Sequence, residues 1–210
     1  MNPESKTAIR ALYKLGFTLE IYLKDYDGAV FNFTEFIRLS SDKISSYEVQ
    51  KRIAGIYFEQ NKENDKAVAA YKKAIDLNPE TLEREFFQFR IAQSYFRAGN
   101  FDQARIEYGV LLEKNQKSQL SARARFEIGN TYYMEGKYEI AQEALKQVVR
   151  HHPQSEFVTE AQYLMAQCLE QTNHLQQALS GYENLKGRYS SPDILNFRIA
   201  ELKKRIRKEK

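Results

Sequence analysis

Tryptophan is absent from these 210 residues, cysteine occurs once and histidine three times. A lone Cys168 excludes an internal disulfide and leaves the redox compartment open. His151, His152 and His174 offer no chelate, because neighbouring residues on a helix point about 100° apart. Near helix ends these rings serve better as partners of the helix dipole. There is no glycine-rich loop that could cradle a phosphate, and no carboxylate pair tied to a pocket. No metal, no cofactor and no enzymatic activity are expected. No apolar run is long enough to span a bilayer. The first ten residues lack the basic-then-apolar layout of a secretory leader, which predicts a cytoplasmic protein, or a periplasmic one if a leader has been removed.

What the chain does have is a recurring helical pair. In the window 122–155, Ile128, Gly129 and Tyr132 form one helical stripe, and Ala141, Ala144, Leu145, Val148 and Val149 form another. Gly136-Lys137 breaks the pattern between them and Pro153 closes it. So short a hairpin cannot bury both stripes alone and needs copies of itself on either side. The copies are present. Ala67, Ala104, Ala141 and Ala178 stand 37 residues apart. Four residues after each come Tyr71, Tyr108, Leu145 and Tyr182, and three further on Ala74, Leu111, Val148 and Leu185. Twelve before each lie the small residues Gly55, Ala92, Gly129 and Ala166, and nine before each Phe58, Tyr95, Tyr132 and Leu169. The small slots let two helices approach closely, and the large ones fill the adjoining gap.

These slots resemble the tetratricopeptide repeat (TPR) family, whose helix–turn–helix unit has a period of about 34 residues. The resemblance covers roughly 10–192. This chain departs from the family pattern in its longer spacing and in the initial tryptophan slot, which holds Lys51, Gln88, Arg125 and Gln162. The long spacing looks like a bacterial subgroup typified by an outer-membrane barrel-assembly lipoprotein and the periplasmic coordinator of the Tol–Pal system. The resemblance implies an all-α fold: a right-handed TPR superhelical solenoid of about five helix-turn-helix repeats in a single domain, closed by a C-terminal capping helix. The repeats are expected at about 10–43, 48–81, 85–118, 122–155 and 159–192, with the cap at 192–208.

Along the chain, the first repeat is degenerate. Ala29, Phe33 and Phe36 fill second-helix slots, but Ala29 lies 38 residues from Ala67 and Leu15-Gly16 sits one residue out of register. Tyr13, Phe17, Tyr22 and Tyr26 make this pair unusually aromatic, as suits an end repeat that packs differently or docks a partner. Ser45 and Glu48 read as a reciprocal helix cap opening repeat two. Internal turns are expected at Asn61-Lys62, Gly99-Asn100, Gly136-Lys137 and Asn173-His174, and a polar surface loop at 114–121. Ser191-Pro192 opens the capping helix. Leu195, Ile199, Leu202 and Ile206 line its inner side. Arg198, Lys203, Lys204, Arg205, Arg207, Lys208 and Lys210 outnumber Asp193, Glu201 and Glu209, so this helix accounts for the net charge of +4. Cys168 shares a slot with Tyr57, Ser94 and Thr131 and reads as a packed thiol.

In the TPR family the first helix of each pair lines a concave groove, and that rule assigns three rows here. The first is Arg52, Phe89, Phe126, Tyr163; the second Ile56, Gln93, Asn130, Gln167; the third Glu59, Phe96, Tyr133, Glu170. Arg90, Arg97 and Arg123 flank them. The resemblance implies a non-catalytic, monomeric scaffold that holds a peptide or protein partner. The expected partner-binding residues are Phe89, Gln93, Phe96, Arg97, Arg123, Phe126, Asn130, Tyr133, Tyr163 and Gln167. Rings supply contact area, amides pair with a peptide backbone, and arginines attract carboxylates. The ligand expected has apolar or aromatic anchors and acidic flanks. The Lys and Asn pair of TPR clamps for a carboxyl terminus is missing, since Arg52/Ile56 and Phe126/Asn130 stand there. The alternatives are nucleic-acid or acidic-partner binding through the basic last helix, and a periplasmic envelope-assembly adaptor.

Overall fold

The computed structural model describes residues 5–114 and 118–208, and among them every regular element is helical. There are eleven α-helices: α1 (Lys6–Thr18), α2 (Tyr26–Leu39), α3 (Lys43–Gly55), α4 (Asn64–Leu77), α5 (Arg84–Arg97), α6 (Phe101–Lys114), α7 (Gln119–Met134), α8 (Tyr138–His151), α9 (Phe157–Gln171), α10 (Leu175–Glu183) and α11 (Pro192–Lys208). They form five antiparallel pairs and a final single helix, as the repeat pattern requires. Residues 115–117 of the expected polar loop lie outside the described residues, as do Glu209 and Lys210 of the basic helix. The chain divides into two compact units, one up to Glu107 and one from Tyr108 on.

The turn inside each pair is built the same way. A residue with left-handed backbone follows each first helix: Lys24 (φ 56°), Lys62 (56°), Gly99 (75°), Gly136 (73°) and Asn173 (60°). Glycine enters that region freely, asparagine tolerates it, and at Lys24 and Lys62 packing of the pair outweighs the Cβ penalty. In the last three pairs the next N–H reaches back five residues, from Asn100 to Tyr95 O (2.9 Å), Lys137 to Tyr132 O (2.9 Å) and His174 to Leu169 O (2.8 Å). This is the Schellman closure of a helix.

The first two pairs close differently. Asp25 N–H reaches Leu19 O at 3.0 Å and Glu63 N–H reaches Tyr57 O at 2.9 Å, each spanning six residues. Here the first helix runs on into a π-helical turn, Leu19–Leu23 and Ile56–Gln60. One residue has been inserted within the helix, and every slot before it shifts by one. The small slot is therefore Gly16, Ala54, Ala92, Gly129 and Ala166, all buried. Gly55, the sequence-based choice, has nothing within 4 Å of a Cβ built on it. The same slip applies to a conserved-geometry amide contact: Gln50 Nε2 donates to Ala70 O (3.2 Å) as Gln88 Nε2 donates to Glu107 O (3.1 Å). Gln50, not Lys51, thus occupies the first slot of repeat two. Ile56, placed in the groove by spacing, instead shares the buried slot of Ser94, Thr131 and Cys168.

The core in each unit comes from the slots the repeats share. Ala29, Ala67, Ala104, Ala141 and Ala178 are all fully buried. In the unit up to Glu107 one cluster runs from Ala29 and Phe33 through Val49, Ile53, Phe58 and Tyr71 to Phe87 and Ile91. In the other, Ala141, Leu145 and Val148 meet Ala161, Leu164 and Cys168, while Tyr182 and Leu185 meet Leu195, Ile199 and Leu202 of α11. Burying side chains of this size contributes about 1.5–3 kcal/mol each.

Helix α3 starts earlier than its Ser45–Glu48 cap predicts. Asp42 caps it, its carboxylate accepting from the N–H of Ile44 (3.0 Å) and Ser45 (3.3 Å) and from the Ser45 hydroxyl (2.6 Å). An ionised acceptor at the positive end of the helix outcompetes a hydroxyl one turn later. Those bonds hold the Asp42 carboxyl below its ordinary range, the Ser45 hydroxyl contributing most.

Candidate functional site

The π-helical turn of the second pair positions the first candidate surface. By keeping repeat two one residue out of phase, it places Phe58 in the row of Phe96, Tyr133 and Glu170, where spacing alone places Glu59. Two arginines of α5 converge on it. Arg97 lies with its guanidinium 3.8 Å from the Phe58 ring centroid, and Nη1 donates to Phe58 O at 2.8 Å. Arg90 sits between the rings of Phe58 (4.4 Å) and Phe86 (5.0 Å) and pairs with Glu59 at 2.9 Å. It also donates to Gln93 Oε1 at 3.2 Å. Gln93 and Phe96 are half-buried and Arg97 is exposed. Phe96 meets the Phe101 ring edge-on at 5.5 Å. Arg97 has no carboxylate partner among the described residues.

Phe89 is the correction on this surface. It is only 2% exposed and offers no face to a ligand. The ring is spent on packing. Arg52, from the same sequence-derived row, bonds Glu20 at 2.6 Å and lies over the Phe17 ring, tying α3 to the end of the first helix of the first pair.

The second surface lies on α7 and α9. Arg123, Asn130 and Tyr133 line α7, about two turns and then one turn apart, and are half-buried. Between them stands Glu127, which the sequence reading missed. Its carboxylate accepts from Asn130 Nδ2 at 3.2 Å, and Arg123 Nε lies 3.9 Å away. Burial pushes the Glu127 carboxyl above its ordinary value, against the pull of Asn130 and Arg123. Burial also raises the Tyr133 hydroxyl. Tyr133 meets Tyr138 edge-on at 5.6 Å, repeating the Phe96–Phe101 arrangement one repeat later. Phe126 packs on Phe157 at 5.8 Å. Tyr163 stacks flat on Tyr189 at 4.4 Å and touches Tyr182 at 5.3 Å, so both rings are partly consumed by neighbours. Gln167 is half-buried on α9, in the slot of Gln93 and Asn130.

Glu170 in the third row is engaged from within. It accepts from the Tyr182 hydroxyl (3.0 Å) and from Arg205 (3.0 Å) of α11, with Arg198 at 3.9 Å. Lys203 pairs with Glu183 at 2.7 Å and Lys204 with Glu201 at 2.7 Å. Arg198, Lys203 and Arg205, assigned by sequence to a solvated face, therefore anchor the last helix to its own unit, while the Lys204 pair lies within α11. Exposed pairs of this kind are each worth about 0–1 kcal/mol.

Among the described residues no group of three or more His, Cys, Asp and Glu could hold a metal ion. Cys168 is fully buried, and desolvation pushes its thiol up to about 12, far from a reactive thiolate. No helix is long and apolar enough to cross a membrane, among the residues described.

Sequence models of the tetratricopeptide repeat match 52–81, 89–139 and 126–185. Together these take in more than half of the chain, and it belongs to the tetratricopeptide repeat family. Solved structures give the same fold. A tetratricopeptide repeat protein from Parabacteroides merdae superposes with a TM-score of 0.68 at 16% identity, over 93% of this chain and 72% of that one. A TPR protein of Thermus thermophilus gives 0.53 at 18% identity, over 93% and 98%. A chain in a structure of Naa15/Naa10 bound to HypK-THB gives 0.72 at 15% identity, covering 92% of this chain but only 28% of that one. No curated protein sequence gives a significant match.

Proposed function

We propose that this chain is a non-catalytic scaffold that holds a protein or peptide partner on the first-helix faces of its repeats. The observation that carries this reading is the state of Arg97. Its guanidinium is laid against Phe58 and tethered to that residue's carbonyl, yet exposed and without a carboxylate of its own among the described residues. A cation held in one geometry loses little freedom on binding, so a carboxylate arriving from outside meets a prepared partner. Phe96, one residue away, offers an apolar edge beside it. Family membership supports the same reading, and one structural relative was solved with a partner bound.

On α7 and α9, Arg123, Asn130, Tyr133 and Gln167 are the residues proposed to contact the partner, with Phe126 and Tyr163 shaping the surface from beneath. The partner has an aromatic or aliphatic anchor flanked by acidic residues. Affinity capture from the native lysate with the wild type and with Phe96→Ala/Arg97→Glu tests this. Loss of the same captured species, with helicity by circular dichroism unchanged, supports the reading. Undiminished capture by the double variant sinks it.

A further inference from the structure

The outward face of α1 has a chemistry that the repeat register explains. Counting from the small slot, Ala11 of the first pair corresponds to Val49, Phe87, Ala124 and Ala161, each at most 2% exposed. Leu15 corresponds to Ile53 and Ile91, at 5% and 1%, but is itself 48% exposed. Thr18 corresponds to Ile56, Ser94, Thr131 and Cys168, all buried, and is exposed. In α3 and α5 these positions pack against the second helix of the preceding pair. On α1 no described residue packs over them, and Tyr22 at their end is 73% exposed.

Along one edge of this strip run Lys6, Arg10 and Lys14, one helical turn apart and all exposed. None has a carboxylate partner among the described residues, and the one acidic side chain of the helix's extension, Glu20, is taken by Arg52. A hollow of about 330 Å³ opens beside Lys6 and Arg10, with Ile9, Tyr13 and Phe36 among its lining residues. Asp42 also lines that hollow, which lies on the flank of α1 away from the strip; what the strip and its basic edge match is the second helix that later pairs seat at the same positions.

We infer that this face is a docking site for an acidic amphipathic α-helix of a partner protein, seated where later pairs hold the preceding second helix. Its apolar stripe covers Ala11, Leu15 and Thr18. Its carboxylates, spaced four residues apart, meet Lys6, Arg10 and Lys14. A second copy of this chain is a poor occupant end to end, because the exposed side of α11 is also basic: Arg207 and Lys208 have no carboxylate partner among the described residues. The site is separate from the surfaces on α5, α7 and α9, so either can fail alone.

The test uses a fluorescent synthetic helix with a leucine stripe and glutamates at every fourth position, titrated with the full chain. Binding that weakens by about tenfold or more in Lys6→Glu/Arg10→Glu/Lys14→Glu is expected, since three pairs are reversed at once. Binding should be unchanged in Arg207→Glu/Lys208→Glu, and lost when the glutamates of the probe become glutamines. Circular dichroism verifies that both variants fold, their substitutions being exposed. Absence of binding at about millimolar protein, equal binding by the α1 variant, or co-sedimentation with phosphatidylserine vesicles in place of peptide binding would each overturn the proposal. So would a dimer by light scattering that the α1 variant abolishes.

Discussion

Gly129 on α7 faces Leu145 on α8 so closely that a Cβ on the glycine would stand 2.6 Å from Leu145 Cγ and Cδ2. Gly16 stands in the same relation to Phe33, with the ring 2.6 Å from its virtual Cβ. In these two repeats a small residue under a large one joins the helices, and the hairpin is as tight as that contact allows.

Gly129→Ala should therefore destabilise the protein, by about 1–2 kcal/mol, overpacking outweighing the helix-propensity gain. Gly55→Ala should do the reverse. Its virtual Cβ meets nothing within 4 Å, so the gain from helix propensity, up to about 1 kcal/mol, is retained. Urea unfolding of the two variants reads both signs; equal effects would mean that the register assigned to repeat two is wrong.

Glu170 joins the buried Tyr182 hydroxyl to two half-exposed arginines of α11. Glu170→Ala leaves the buried Tyr182 hydroxyl without its acceptor and frees Arg198 and Arg205. A loss of about 2–3 kcal/mol is expected, most of it from the hydroxyl because Arg205 is half-exposed. Hydrogen exchange should quicken across α11 more than across α7. Uniform quickening would show that the carboxylate does not hold the last helix in place.

Glu127 supplies a pH dependence of unusual sign. Its folded carboxyl is raised above 4.5, chiefly by burial, so in that interval the folded state binds more protons than the unfolded one. Its contribution to stability is greatest below the unfolded value and declines as pH rises through the folded value. Glu127→Gln should match the wild type near pH 4 and exceed it at pH 7. Thermal melts across that range measure the difference, and a variant less stable at pH 7 would show that the Asn130 and Arg123 contacts outweigh desolvation.

The helical pairs were legible because alanine, ring and small residue recur at fixed spacing, and the positions of four internal turns followed from breaks in that pattern. The one-residue insertion in the first two pairs was not legible in the same way. A π-helical turn leaves the segment helical and apolar on one side, so nothing interrupts the pattern. Its trace was the 38-residue step from Ala29 to Ala67 and the offset of Leu15-Gly16. Read together, these would have moved the small slot from Gly55 to Ala54 and taken Ile56 out of the groove. Glu127 escaped notice because a carboxylate on a charged helix looks solvated until its burial is known. The burial of Phe89 shows that a row of rings at one spacing divides between packing and surface according to what each helix leans on.

The extra residue in the first two pairs also sets a rule for cutting and rejoining this array. Exchange of first-helix segments between an early and a late pair, cut upstream of the π-helical turn at positions matched by counting back from the alanines, would rotate each transplanted side chain by about 100°. Phe58 would leave the flank of Arg97, and a lysine would enter where Gln50 bonds a backbone carbonyl. Only seams placed at the left-handed hinge residues, where all five pairs fall back into step, would yield interchangeable parts.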